Sequence, residues 1–260
     1  MIVTCLGCWE SGNTVTSSVT QAGEGRQTCD KSLESFVEPF KTTEAPTESP
    51  DAEPRWPAFI AILAVGGLYA ALPEVVTMGP RWFFPSIVLV LLIPNIASHH
   101  AGRHQLNTVL GYAVDGVLTL GLIFSLGLLI AALPTHRQTP IALLLSAASL
   151  WMTNIIVFAL WYWRLDAGGP NQRDKRSGHF AGSFLFPQMT MSNQSLRQIG
   201  QGGWSPNFVD YLFLSFNTST AFSPTDVPVL ARWAKVLMMI QSLLSLLIIA
   251  LLAARAINIL

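Results

Sequence analysis

The chain has 260 residues, of which 12% are charged and 51% hydrophobic, and its acids and bases are equal in number, leaving no net charge. A soluble globular chain carries about 25% charged residues, so this composition excludes an ordinary soluble domain and places the protein in the membrane class. No basic run is interleaved with aromatic residues, which removes support for nucleic acid as a partner and leaves the lipid bilayer as the expected one.

The zero net charge hides an asymmetry. Residues 1–55 hold nine acids against Arg26, Lys31, Lys41 and Arg55, while the remainder holds eleven bases against six acids. The first 55 residues are rich in Ser, Thr, Glu, Gly and Pro without apolar periodicity, and they are expected to form a disordered acidic tail. A secretory signal needs an apolar core of about 7 to 15 residues behind a basic start, and Met1 to Cys8 supplies neither, so no cleaved signal is expected. Cys5 and Cys8 have the spacing of a zinc or redox half-site, but only Cys29 follows and the tail has no His; incidental thiols are the better reading.

Residues 56–163 read as four membrane spans. The first runs from Trp56 to Val76, with Gly66 and Gly67 midway and Pro73 and Glu74 where the apolar run gives out. The second, Trp82 to Ser98, is short, and Pro85 and Pro94 predict a kinked or irregular helix whose freed carbonyls need partners from neighbouring helices or water. The third, Thr108 to Leu133, carries Gly111, Gly116, Gly121 and Gly127, small residues that let helices approach closely where lipid supplies no hydrophobic drive. The fourth, Pro140 to Trp163, ends in Trp161, Tyr162, Trp163 and Arg164, which reads as an aromatic belt with a basic anchor at a membrane surface. Residues 164–206 form a polar loop around the apolar island Phe184 to Pro187, and a loop of this length is expected to be functional, a cap, or disordered. The last span, Val229 to Ala254, is almost wholly Leu, Ile, Met and Ala around Gln241, Ser242 and Ser245.

Lys41, Arg55, Arg103, Arg164, Arg173, Lys175 and Arg176 fall on one side of this arrangement, against Arg81, Arg137 and Arg255 on the other. The excess predicts a cytoplasmic N-terminus in a bacterial-type inner membrane. Five spans then put the C-terminus outside, and a sixth crossing by residues 208–222 returns it to the cytoplasm.

Few residues suggest chemistry. Asp115 lies inside the third span, where a carboxylate costs about 2.5 to 3.5 kcal/mol on insertion scales; it is either a functional ion or proton site or a group paired with headgroups, Arg103 or His104. His99, His100 and His104 cluster beside Arg103, but no nearby acid or Cys completes a metal shell, so a titratable interfacial patch is expected and no metal. Gln241 and Asn154 read as hydrogen-bonding glue between helices. No catalytic triad order, phosphate-cradling glycine loop or metalloprotease motif occurs, so neither an enzyme nor a cofactor is expected.

The most informative stretch is Phe208 to Leu230. Its apolar part ends at Phe216, too short to cross a hydrocarbon core that takes about 20 helical residues, and it runs into Asn217, Thr218, Ser219 and Thr220. Such a segment is expected to dip into the membrane and return, shielded by protein or lining an aqueous vestibule. Asp210 opens its helix, where a carboxylate complements the dipole. Ser223-Pro224-Thr225-Asp226 has the form of a capping box, so Asp226 is expected either to start the last helix or to face a pathway.

The run Tyr211-Leu-Phe-Leu-Ser-Phe-Asn-Thr-Ser-Thr-Ala-Phe-Ser-Pro-Thr-Asp226, followed by Arg232, Trp233 and Lys235 and a long apolar helix, resembles a potassium-channel pore module: pore helix, Thr-rich filter, acid, inner helix. The C-terminal third is also similar to uncharacterised bacterial polytopic membrane proteins. In this resemblance Thr220 matches the first filter threonine and Asp226 the acid after the filter. Phe222, Ser223 and Pro224 stand where the filter needs glycines, so the resemblance implies a pore-module-like hairpin over residues 207–258 with a degenerate, non-potassium-selective filter region.

The expectation is therefore an all-α polytopic transmembrane bundle of about five spans plus one re-entrant segment, with a homo-oligomer through the last span as a candidate assembly. Two functions are open. One is a channel-like or transporter-like protein with a path lined by Asn217, Thr218, Thr220, Thr225 and Asp226 and with Asp115 as an ion or proton site. The other is a non-transporting scaffold or regulatory subunit whose polar groups satisfy one another.

Overall fold

A computed structural model describes residues 53–77, 79–132, 139–175, 182–223 and 226–257. The expectation of disorder over residues 1–52, and the Cys5 and Cys8 spacing with it, lies outside the described residues.

Eight α-helices account for most of the described chain: α1 Trp56–Ala70, α2 Phe83–His100, α3 His104–Ala132, α4 Pro140–Leu165, α5 Pro170–Arg173, α6 Asn193–Gln198, α7 Phe208–Ala221 and α8 Arg232–Ile257. Among the described residues the only extended pairing is an isolated antiparallel bridge between Phe184 and Val229. Three helical stretches, His104–Ala132, Pro140–Arg173 and Arg232–Ala254, are long and apolar enough to cross a membrane, and Trp56–Ala70 and Phe83–Ser98 are shorter apolar helices. The fold is thus all-helical and places the chain among helical membrane proteins.

Three boundaries move from the sequence reading. The first apolar run stops at Ala70, and Glu74–Val76 is a separate 3-10 turn after Pro73, because proline disfavours helical angles in the residue before it. The second run forms one helix, Phe83–His100, that continues past Ser98 with Pro94 inside it. The last helix begins at Arg232, six residues beyond Asp226, so Asp226 does not cap it. Val229 and Leu230 are instead held in the bridge to Phe184, with the Leu230 N–H donating to the Ser183 carbonyl at 2.8 Å. By contrast, Asp210 does open α7. It accepts a hydrogen bond from the Asn207 N–H at 2.8 Å, while the Asn207 side chain caps the helix in return.

One end of the bundle gathers most of the helix termini. Arg55, just before α1, pairs with Asp174 after α5 at 2.7 Å, so the last residues of the expected tail are fastened to the body. Asn107 in the first turn of α3 donates to the carbonyl of Asn95 in α2 at 2.9 Å, and Asn171 of α5 donates to Asn107 at 3.2 Å. The loop after α4 is a cap in its described parts. Phe184 is buried against Tyr162, Tyr211 and Trp233, with ring centroids 5.3, 6.2 and 6.1 Å away, and Phe186 packs on Tyr211 and Trp204. The apolar island noted in the sequence therefore pins the beginnings of α7 and α8 to the end of α4.

The aromatic belt reading of Trp161 to Arg164 is overturned. Tyr162, Trp163 and Arg164 are all buried inside the protein. Of the four α3 glycines, only two serve close approach. A methyl group at Gly111 would lie 1.8 Å from Nη1 of Arg164 and one at Gly121 would lie 2.4 Å from the Phe84 ring, whereas Gly116 and Gly127 face open space. Gly111→Ala is therefore expected to destabilise the fold by about 1 to 3 kcal/mol through overpacking against Arg164. Gly116→Ala, which fills nothing and removes backbone freedom from the unfolded chain, should be neutral or stabilising by about 0.5 to 1 kcal/mol. Denaturant titration of both variants in detergent checks the contrast, and equal losses at the two positions would refute the assignment of Gly111 to the guanidinium.

Candidate functional site

The polar groups of the body fall into three sets. The first joins α3 to α4. Arg164 Nε donates to Asp115 Oδ2 at 2.6 Å, with the Asp115 side chain fully buried and that of Arg164 only 7% exposed. Asp115 therefore meets neither Arg103 nor His104 but a cation that the sequence reading assigned to the membrane surface. Gly111, one turn before Asp115, clears the space that the guanidinium occupies. Thr119, one turn after it, accepts the Trp161 indole N–H at 2.8 Å and donates to the Asp115 carbonyl at 2.7 Å.

The second set joins α4, α7 and α8. The Gln241 amide nitrogen donates to Ser215 Oγ at 2.7 Å, the Ser215 carbonyl at 2.9 Å and Ser219 Oγ at 2.8 Å, and its amide oxygen accepts the Tyr162 hydroxyl. Ser215 Oγ in turn donates to the Ile155 carbonyl at 2.6 Å. Asn154 donates to Ser245 Oγ at 2.9 Å. All of these side chains are buried, so Gln241 and Asn154 act as interhelical glue, and Tyr162, Ser215, Ser219 and Ser245 are the partners that the sequence did not single out.

The third set lies at the end where the helix termini gather. Arg173 binds Glu53 through Nη2 at 2.8 Å and Nε at 3.2 Å, and its Nη1 donates to the carbonyls of Trp163 at 2.7 Å and Asp166 at 3.0 Å. The Trp163 indole N–H donates to Glu53. Burial holds the Glu53 carboxyl above its ordinary range, with Arg173 and Trp163 pulling the other way. Asp166 is fully buried; it accepts the Ser183 N–H and the Tyr211 hydroxyl, the latter at 2.7 Å. Ala167, Gly168 and Gly169 all have positive φ, and this left-handed turn folds the chain back so that Arg173 can reach Glu53. The glycines were the available signal for the turn, but nothing in the sequence tied Asp166 to Tyr211 across 45 residues.

The candidate pathway residues lie in different surroundings. Thr218 is buried with its hydroxyl donating to its own helix at Leu214, and Asn217 is half-buried. Thr220 is exposed and also bonds back to its helix, at Phe216. Asp226 is exposed on the connection to α8, Thr225 lies outside the described residues, and Asp115 belongs to the α3–α4 set. Among the described residues no group of three or more His, Cys, Asp or Glu side chains is placed to hold a metal. Comparison with protein-family models, with curated proteins and with solved structures finds no match for this chain.

Two acids of the sequence reading thus carry different expectations. Asp115→Asn leaves Arg164 buried without its counter-ion and should cost about 3 to 5 kcal/mol. Asp226→Asn, at an exposed position without a capping role, should fall within about 0.5 kcal/mol of the parent. Unfolding midpoints in detergent check this; a loss at Asp226 as large as that at Asp115 would contradict the placement of both.

Proposed function

We propose that the protein is a multi-pass inner-membrane protein acting as a non-transporting scaffold or regulatory subunit. The observation behind this reading is the buried polar set around Gln241, in which Gln241, Tyr162, Ser215 and Ser219 are bonded to one another across α4, α7 and α8. A permeation path needs polar groups that exchange partners with water or an ion, and binding weak enough for release. Groups fixed on one another in a buried interface supply rigidity instead. The Asp115–Arg164 pair adds to this, because a carboxylate neutralised by a guanidinium has no net charge to offer a passing cation.

In this reading α1, α2, α3, α4 and α8 are the five spans and α7 is the re-entrant segment. At 14 residues α7 is about 21 Å long, one residue shorter than α1, so what marks it as re-entrant is the return of the chain to the end at which the helix began. Its first turn packs at the Asp166 end through Tyr211, its Ser219 reaches the Asn154 level, and the chain is back beside Phe184 by Val229. The cytoplasmic placement of the N-terminus rests on the basic excess of Arg55, Arg103, Arg173 and Lys175 near that end.

The hairpin also favours a second reading, a channel-like assembly of several copies packed through the last span. Asn217, Thr220 and Asp226 lie outside the set around Gln241, and they are the residues such an assembly would turn toward a shared path.

Purified protein in liposomes separates the readings. Cation and proton flux is expected to equal that of empty liposomes under every gradient applied. Flux above that level that changes its cation selectivity in Asp226→Asn would overturn the scaffold reading and install the channel-like one.

A further inference from the structure

The α7–α8 pair carries a groove on its outer side, about 530 Å³ in volume. Lys235 lies one turn into α8 at its upper end, beside Val229; Met238, Met239 and Leu243 form its α8 wall and Phe222 its α7 wall. From Lys235 to Leu243 is eight residues, about 12 Å along the helix axis. The groove therefore leads from a cation near the end of α8, along a mostly apolar wall that also carries Thr218, Ser223 and Ser242, to the exposed Leu243 two turns further along. Lys235 is exposed, and none of the ion pairs among the described residues engages it or Arg232, which stands three positions earlier and is also exposed. Positions three apart on a helix are neighbours, so Arg232, although not part of the groove wall, lies on the same edge of α8 as Lys235.

We propose that this groove is a binding site for one anionic phospholipid, with the headgroup phosphate at Lys235 and Arg232 and an acyl chain laid toward Leu243. The polarity gradient matches an amphipathic ligand, and the charge at the mouth selects its sign. An ammonium on a flexible stem can follow a phosphate at the interface while its methylenes lie on Met239 and Val229. A zwitterionic head brings a cation of its own toward Lys235 and Arg232 and loses most of the attraction. A second copy of the chain fits less well, since a two-fold axis along the groove sets like charges against each other at the mouth. The thioether side chains of Met238 and Met239 are suited to a chain without fixed shape, because they repack at little cost. The site rests on α8 being a membrane span but not on what the protein does, so its failure would leave the scaffold reading standing.

Native mass spectrometry of the detergent-purified full chain, titrated with phosphatidylglycerol and with phosphatidylcholine of identical acyl chains, tests the site. One phosphatidylglycerol should be retained at least fivefold over phosphatidylcholine. Lys235→Gln should bring that retention down to the phosphatidylcholine level, and Lys235→Arg should preserve it. Leu243→Trp, which fills the far end of the groove without touching the cations, should expel both lipids. Lys235 is exposed, and a melting curve superimposable on the parent's verifies that Lys235→Gln is folded. Equal retention of the two lipids by the parent overturns the proposal, as does phosphatidylglycerol retention indifferent to Lys235→Gln. So does a lipid-free dimer that Lys235→Gln or Leu243→Trp dissociates, which would make a second copy the occupant.

Discussion

A charge buried in a helix bundle has to be met by another, and the pairing of Arg164 with Asp115 fixes how α4 is turned within this fold. Each residue advances a helix by about 100°, so pointing Arg164 at α3 decides the direction of its neighbours. Trp161, three residues earlier, lies about 60° away and reaches Thr119 on the same partner helix. Tyr162 comes out on the opposite side and finds Gln241 of α8, and Trp163 falls between them and finds Glu53. Four consecutive side chains thereby commit one helix to three partners, and removal of either charge disturbs all of them.

The two remaining polar sets work under different conditions. Within the body, lipid gives helices no hydrophobic reason to associate, and the hydrogen bonds around Gln241 supply attraction of about 0.6 kcal/mol each, with close packing doing the rest. At the end where termini gather, Glu53, Asp166, Arg173 and Asp174 join segments that are distant in sequence. There the ionic groups act as fasteners for connections that lack regular secondary structure. The apolar counterpart of these fasteners is Phe184, which touches the end of α4 and the beginnings of both α7 and α8. Phe184 and Phe186 therefore belong to the core, although the composition of the loop that carries them is that of a surface segment.

The connection from α7 to α8 draws its shape from both influences. The Asn207 and Asp210 box starts α7 at the capped end, the left-handed backbone at Phe222 ends it beside the middle of α8, and the bridge at Val229 recovers the chain. A left-handed phenylalanine is unusual, since a side chain there crowds the backbone, and this one also lines the groove that holds Lys235.

Hydropathy and composition sufficed for the membrane class, the helical character and the approximate location of every long helix, because apolar length is a local property that each segment declares independently. The capping role of Asp210 was legible for the same reason, as a short-range exchange between a side chain and a neighbouring backbone group. Gln241 and Asn154 were readable as interhelical glue from their chemistry, though their partners were not. What remained hidden were the choices that depend on which helix faces which. Arg164 reads as a surface anchor until α3 is placed against it, Asp226 reads as a cap until α8 is seen to begin at Arg232, and Asp166 and Glu53 carry no signal at all without Tyr211 and Arg173 across the fold. Sequence determines what each residue can bond; only tertiary packing decides which bond a charge takes when water is excluded and the nearest candidate along the chain is not the nearest in space.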